Sequence, residues 1–295
     1  MIQHLSILTA VLSPSSLSNP VRISLRAIAA ACVISFSPII GLASDLIPDK
    51  GLEAAIRWEV FEKRYNQEPL VADDLKNISQ VIGRGKAIQS LEGIQHCKVL
   101  MKIDLANNEI VDLKPIADLK QLQSIDLSGN KIADIAPLSE LVSLQYLQLT
   151  KNGVEDLSPL SNLKSMNSLY LSENKIKSLA AIAGLKKLWT LQVAKNPIED
   201  ASAIQDLPRL KTLNLNESGL KKLDFLKGTK ELSLLMLDKN PLESLDPLVE
   251  VCSADTAKRF APFLQLHLDP EVVANQAAAI EKLRESGVRI NPESK

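Results

Sequence analysis

Few residues of this 295-residue chain are equipped for covalent chemistry. Its histidines, His4, His96 and His267, are scattered, and Cys32, Cys97 and Cys252 form no CxxC pair of the kind that holds zinc. No GxSxG, HExxH, Walker A or GxGxxG stretch occurs. The segment "VIGRGKAI" (81–88) has two glycines and a lysine but lacks the strand–loop–helix spacing of a phosphate cradle, so it reads as a turn in a capping segment. The expectation is a chain with no enzymatic role, no metal and no cofactor. With Lys+Arg 34 against Asp+Glu 35, the net charge of -1 provides no basic field for nucleic acid.

The chemistry that remains is that of an interface. Tyr146 and Tyr170 stand in the related stretches "LQYLQLTKNGVEDLSPL" and "MNSLYLSENKIKSLAAI", which also resemble "LQSIDLSGNKIADIAPL" before them. Asn108, Asn130, Asn152, Asn174, Asn196 and Asn240 fall on one 22-residue ladder, with Ser218 on the remaining rung. Five residues before each rung stand Ile103, Ile125, Leu147, Leu169, Leu191, Leu213 and Leu235, and further aliphatics recur three before and two after. Seven units without an insertion define a leucine-rich repeat of the form LxxLxLxxNxIxxIxPL.

Within "SIDLS" (124–128), alternation sends Ile125 and Leu127 to one face and Ser124, Asp126 and Ser128 to the other. One such strand per repeat makes a parallel sheet along the inner curve of a solenoid. The asparagine turns the chain out of the strand and bonds backbone groups that burial would orphan. "DIAPL" (134–138) forms a tight outer turn, with Asp112, Asp134, Asp156 and Asp200 in structural roles. A unit this short has no room for an outer helix. The expected fold is an α/β solenoid: a right-handed horseshoe with a parallel concave sheet, 3₁₀ turns on the convex side, a helical N-terminal cap and a strand–helix C-terminal cap.

Caps are needed because one repeat cannot bury its own core. The spacing of Leu52, Ile56, Val60 and Phe61 in "DKGLEAAIRWEVFEKRY" (49–65) predicts an amphipathic helix, with Trp58 packed inside the cap. "ADDLKNISQVI" adds a second turn or helix. At the other end, "LQLHLD" reads as a last strand and Pro270 to Gly287 as a covering helix, followed by "VRIN". Residues 21–44, "VRISLRAIAAACVISFSPIIGLAS", have the basic, apolar and small-residue order of an export signal, with cleavage after Ala43. The alternative is a retained anchor over Ala27–Ala43, a stretch at the short end for a spanning helix and interrupted by Pro38. The resulting division is a signal at 1–43, an N-terminal cap at 44–95, repeats at 96–250 and a C-terminal cap at 251–295.

The order of cap, "LEGI" and repeats with "I.DI.PL", together with "PDKGLEAAIR" and "ADDL", resembles the bacterial internalin-like family over roughly residues 47–250. The resemblance implies an exported, non-enzymatic protein whose concave face binds another protein. "RINPESK" carries no LPxTG-type sorting sequence and no immunoglobulin-like module follows, so wall anchoring and host-cell invasion are not carried over. A periplasmic or secreted monomer is expected, with a protein partner, no nucleic acid and no membrane insertion after cleavage. Two other classes fit the repeats. One is a structural or envelope-organising protein without a dedicated ligand. The other is an intracellular protein like the 22-residue-repeat regulators of protein phosphatase, which requires that the N-terminus not be an export signal.

The contact surface is expected in two columns of sheet residues. One runs Asp104, Asp126, Gln148, Tyr170, Gln192, Asn214, Met236; its neighbour runs Lys102, Ser124, Tyr146, Ser168, Thr190, Thr212, Leu234. Tyr146 and Tyr170 are diagonal neighbours, and with Gln148, Gln192, Asp126 and Asn214 they form the candidate site. Leu234 and Met236 are expected to be covered by the C-terminal segment. Asp104, Asp126 and Asp238 are expected to be solvated rather than metal-bound. Cys97 and Cys252, about seven strand spacings or roughly 30 Å apart, are expected to be buried free thiols.

Overall fold

The computed structural model describes residues 46–292, which lie in one compact unit spanning Ser44–Lys295. The expected export signal at 1–43 lies outside the described residues. A single parallel sheet of ten strands runs in sequence order from β1 (Gln80–Ile82) through β2 (Lys102–Asp104) to β8 (Leu234–Met236), then β9 (Gln265–His267) and β10 (Arg289–Ile290). The intervening strands are β3 (Ser124–Asp126), β4 (Tyr146–Gln148), β5 (Ser168–Tyr170), β6 (Thr190–Gln192) and β7 (Thr212–Asn214). Short 3₁₀ turns such as Lys114–Ile116, Ala136–Leu138 and Ser158–Leu160 return the chain on the opposite side. This is the expected solenoid.

Each strand is only two or three residues long, so side-chain bonds carry much of the stacking. In the middle of the array, Asn174 Oδ1 accepts from Val154 N–H at 2.9 Å. Its Nδ2 donates to Leu149 and Leu171 carbonyls, both at 2.9 Å. One amide thereby ties its own turn to the repeat before it, and the other asparagine rungs repeat the pattern. The residue ahead of each rung is left-handed: Asn107, Lys151, Glu173, Lys195, Glu217 and Lys239 have φ between 55° and 60°, and Gly129 has 66°. Asp112, Asp134, Asp156 and Asp200 accept from the N–H two residues on, at 2.8–2.9 Å, and so brace the outer turns as expected.

The caps differ from expectation in five places. Helix α1 (Lys50–Glu59) is capped by Asp49, whose Oδ1 accepts from Leu52 N–H at 2.9 Å, but it stops at Glu59 because Val60 is extended. Leu52, Ile56 and Val60 are buried as expected, whereas Phe61 is 81% exposed and Trp58 54% exposed. Trp58 instead meets Tyr65 edge-on on the cap's surface, with the Arg64 guanidinium 4.7 Å from its ring centroid. After the one-turn α2 (Ala72–Leu75), "QVI" is strand β1, in register with β2, so the front of "VIGRGKAI" belongs to the sheet. At the far end the expected single helix is two, α4 (Pro270–Asn275) and α5 (Ala277–Glu285), broken at Gln276. "RI" after them is strand β10, so "LQLHLD" holds the ninth strand and not the last.

The core is an unbroken stack of aliphatic side chains from Ile47 to Val288, closed by a cap at each end. Cys97 and Cys252 are buried free thiols within it, and burial pushes each thiol up to about 12. Thiols so held are protonated and unreactive at neutral pH.

The ladder predicts opposite effects at two rungs. Asn174→Ala leaves Val154 N–H unpaired in the interior and removes one of the two amide donors from each of the Leu149 and Leu171 carbonyls, which keep Asn152 and Asn196, and should cost about 1–3 kcal/mol. Ser218→Asn supplies the missing amide and should add about 1 kcal/mol. Urea unfolding of both variants measures this, and equal midpoints for Asn174→Ala and the parent would remove the ladder from the account.

Candidate functional site: the concave face of the sheet

Tyr146 is paired with Ser168 and Gln148 with Tyr170, which sets the two tyrosines on the expected diagonal. Their rings touch, with centroids 5.3 Å apart and planes inclined at 44°. Both are half-buried, as are Asp126, Gln148, Gln192 and Asn214. The six candidate residues thus share one face of β3–β7. Burial first, then the charges of Asp126 and Tyr170, raises the Tyr146 phenol above its ordinary value, with Arg84 opposing. Its hydroxyl stays a donor throughout the neutral range.

Several of these side chains also serve their own turns. Gln148 Oε1 accepts from Thr150 N–H at 3.1 Å, and Asn214 Oδ1 accepts from Asn216 N–H at 3.0 Å. Asp126 Oδ1 does the same for Ser128, accepting from its N–H at 3.0 Å and its hydroxyl at 2.7 Å. The carbonyl oxygens of Gln148 and Asn214 are therefore committed to the scaffold, while their NH₂ groups remain available to a ligand.

One expectation about charge is corrected. Asp104 and Asp126 are not simply solvated. Arg84, in the turn after β1, reaches across the sheet to both: Nε donates to Asp104 Oδ2 at 2.8 Å, and an NH₂ group to Asp126 Oδ2 at 3.0 Å. Asp104 Oδ1 also lies 2.7 Å from Nε, though outside hydrogen-bonding geometry. The Asp104 bond first, then the charges of Asp104 and Asp126, raises the guanidinium above its ordinary value. The Asp126 carboxylate is thus partly offset within the chain, sharing one guanidinium with Asp104.

Leu234 and Met236 are likewise not covered by the C-terminal segment. β9 joins β8 side by side, pairing Leu234 with Gln265 and Met236 with His267, and both apolar side chains stay half-buried on the open face. Trp189, just before β6, is 50% exposed, with Lys211 Nζ 5.1 Å from its ring centroid. Its parity is that of buried positions, but its place at the strand's start leaves its side open in the sequence. The usable signal was its place one residue ahead of the strand, where Gln123, Gln145 and Lys211 stand in neighbouring repeats.

His96 and His267 lie at opposite ends of the array, in the 3₁₀ turn Ile94–His96 and in β9. Among the described residues no His, Cys, Asp and Glu side chains group as a metal site, and no helix is long and apolar enough to cross a membrane. Between the Arg84 pair and Lys211, the sheet face of β4–β6 carries only tyrosine, amide and hydroxyl side chains.

Two family profiles match the chain, "Leucine Rich repeats (2 copies)" over residues 100–140 and "Leucine rich repeat" over residues 142–198. No curated protein matches it significantly. Among solved structures, internalin C2 of Listeria monocytogenes is 26% identical with a TM-score of 0.65, over 70% of this chain and 91% of that one. A leucine-rich-repeat protein of Leptospira interrogans, 23% identical with a TM-score of 0.54, aligns over 74% of this chain and 50% of that one, and shares the fold. The chain is a leucine-rich-repeat protein. Its capped 22-residue solenoid makes it internalin-like, and the fold is one that suggests protein partners.

Arg84 is 58% exposed, so its two ion pairs are partly screened by solvent. Arg84→Ala should lower stability by about 1 kcal/mol or less, with a smaller loss at high salt than at low salt. Chemical denaturation at two ionic strengths checks this, and an identical loss at both would show that packing of the arginine stem, not charge, is responsible.

Proposed function

We propose that this protein is exported and binds a partner protein through the concave face of its sheet. The observation that carries the reading is the Tyr146–Tyr170 contact, set on a rigid parallel sheet among side chains with unspent hydrogen-bond donors. Tyrosines offer large amphipathic area at low entropic cost, and a fixed backbone lowers the cost further. The half-buried Leu234 and Met236 extend the apolar part of the same face, and Trp189 is exposed just ahead of β6. The likeness to internalin C2 supports a binding role, and the order of residues 21–44 supports export with cleavage after Ala43. The partner's docking surface is expected to be largely uncharged where it meets β4–β6.

The test is capture of envelope and secreted proteins of the source organism on immobilised protein, beside a Tyr146→Ser/Tyr170→Ser variant of unchanged melting temperature. A partner held by the parent and lost at least tenfold by the variant is the expected result. Equal capture by both would move the site off the tyrosines, and capture by neither would favour an envelope-organising role. Fractionation with N-terminal sequencing should find a mature chain beginning at Ser44; an intact chain in the cytoplasm would overturn export.

A further inference from the structure

The repeat is broken once, and the break builds a cleft. The 22-residue period would pair Leu234 with Thr256, but the sheet pairs it with Gln265, nine residues later. The extra chain makes helix α3 (Asp246–Ser253) in place of a 3₁₀ turn, followed by a loop that Asp255 closes. Asp255 accepts from Arg259 N–H at 3.0 Å, Phe260 N–H at 2.6 Å and Ala261 N–H at 2.9 Å. This segment faces residues 227–231 of the preceding repeat across a cleft of about 900 Å³.

The walls of the cleft are cationic around an apolar floor. Lys211, Lys227, Lys230 and Arg259 line it, with Phe260 buried and Val251 half-buried below them. Lys227 is engaged with Asp224 at 3.4 Å, whereas Lys211 and Lys230 form no ion pair among the described residues. Asp255 is near Arg259, but its oxygens are committed to three backbone N–H groups. Lys211, resting on Trp189, stands one residue ahead of β7 and links the cleft to the start of the sheet strands. Glu231 and Glu250, exposed on the same walls, oppose a polyanion and suit a ligand that also carries N–H donors. The volume exceeds what a single oxyanion fills.

We propose that this cleft binds an acidic peptide segment, its carboxylates held by Lys211, Lys230 and Arg259 and its backbone lying over Phe260. The peptide's source rests on the concave-face reading, because a partner covering β4–β7 reaches Lys211; the cleft's own chemistry does not depend on it.

Trp189 provides the readout. In a Trp58→Phe background it is the sole tryptophan, since the chain has two. The protein is titrated with an end-blocked peptide of alternating glutamate and glycine, with the glutamine–glycine peptide and inorganic phosphate as separate arms. A saturable change in Trp189 emission with the glutamate peptide alone is expected. It should weaken about tenfold or more in Lys230→Glu/Arg259→Glu, two exposed positions whose reversal leaves the core intact. It should be unchanged by Tyr146→Ser/Tyr170→Ser. Absence of saturation, an equal response to the glutamine peptide, saturation by phosphate at the same affinity, or full affinity in the charge-reversal variant would each overturn the proposal. Saturation by the glutamate peptide upholds the cleft even if the capture experiment yields no partner, in which case only the concave-face reading fails.

Discussion

The structure depends on one buried side-chain amide repeated along the stack. A three-residue strand makes too few ladder bonds to fix the turn that follows it, and each turn leaves a buried N–H and carbonyls facing the next repeat. Only a group that both donates and accepts serves them together. Asparagine does this at one rung after another, accepting from the residue twenty positions back and donating to carbonyls in both repeats. Aspartate would offer no donor and leucine neither function. Ser218 shows how far the pattern bends: its hydroxyl reaches the Val193 carbonyl only at 3.4 Å, and Ile198 N–H turns to the Ser218 carbonyl at 3.1 Å. Asn240 keeps its own place in the ladder, accepting from both Ser218 and Leu220 N–H groups at 3.1 and 3.0 Å.

Because the amides and aliphatics hold the scaffold, the outward sheet positions are released from structural duty, though not completely. Gln148, Asn214 and Asp126 each use one oxygen to brace the turn after their strand, which favours short polar acceptors in that column whatever the ligand. Tyr170 and Gln192 occupy the same column without such a bond, so their presence needs another explanation. The aromatic contact across β4 and β5 is the feature of this face that the scaffold does not require.

Legibility from sequence followed the strength of the period. Seven strands, their register and the asparagine rungs were readable because identical chemistry recurs every 22 residues. β1 was not, because two signature residues are replaced. Gly83 stands where leucine would, and a β-carbon there would meet the Ala55 β-carbon of α1 at 2.9 Å. Lys86 stands on the asparagine rung, yet Asn108 still serves this turn by accepting from Lys86 and Ile88 N–H groups. Val81, Ile88, Leu91 and Ile94 keep the aliphatic spacing, which was the remaining signal. The Arg84 bridge was beyond sequence reasoning, since it joins residues 20 and 42 positions apart through a turn that had not been placed in the sheet. Phe61 and Trp58 followed a helical period that the chain abandons at Val60, whose φ of -90° and ψ of 96° end α1.

A regular array also points to its own exceptions. Where every unit obeys the same pattern, a departure is either a local fault compensated nearby or a feature kept for what it displays. Ser218 is the first kind, because the Ser218 and Asn196 carbonyls take the Ile198 N–H and Asn196 still serves the Val193 carbonyl. The chain after β8 is the second. Nine residues are added without interrupting the sheet, and β9 takes the place beside β8 that an ordinary repeat would fill. The scaffold gains nothing in pairing from the longer path. What the path adds is a second wall beside Lys227–Glu231, with Arg259 and Glu250 brought opposite Lys230. The regular repeats therefore supply a rigid sheet and three of the cleft's four cations, and the irregular one supplies the wall that encloses them.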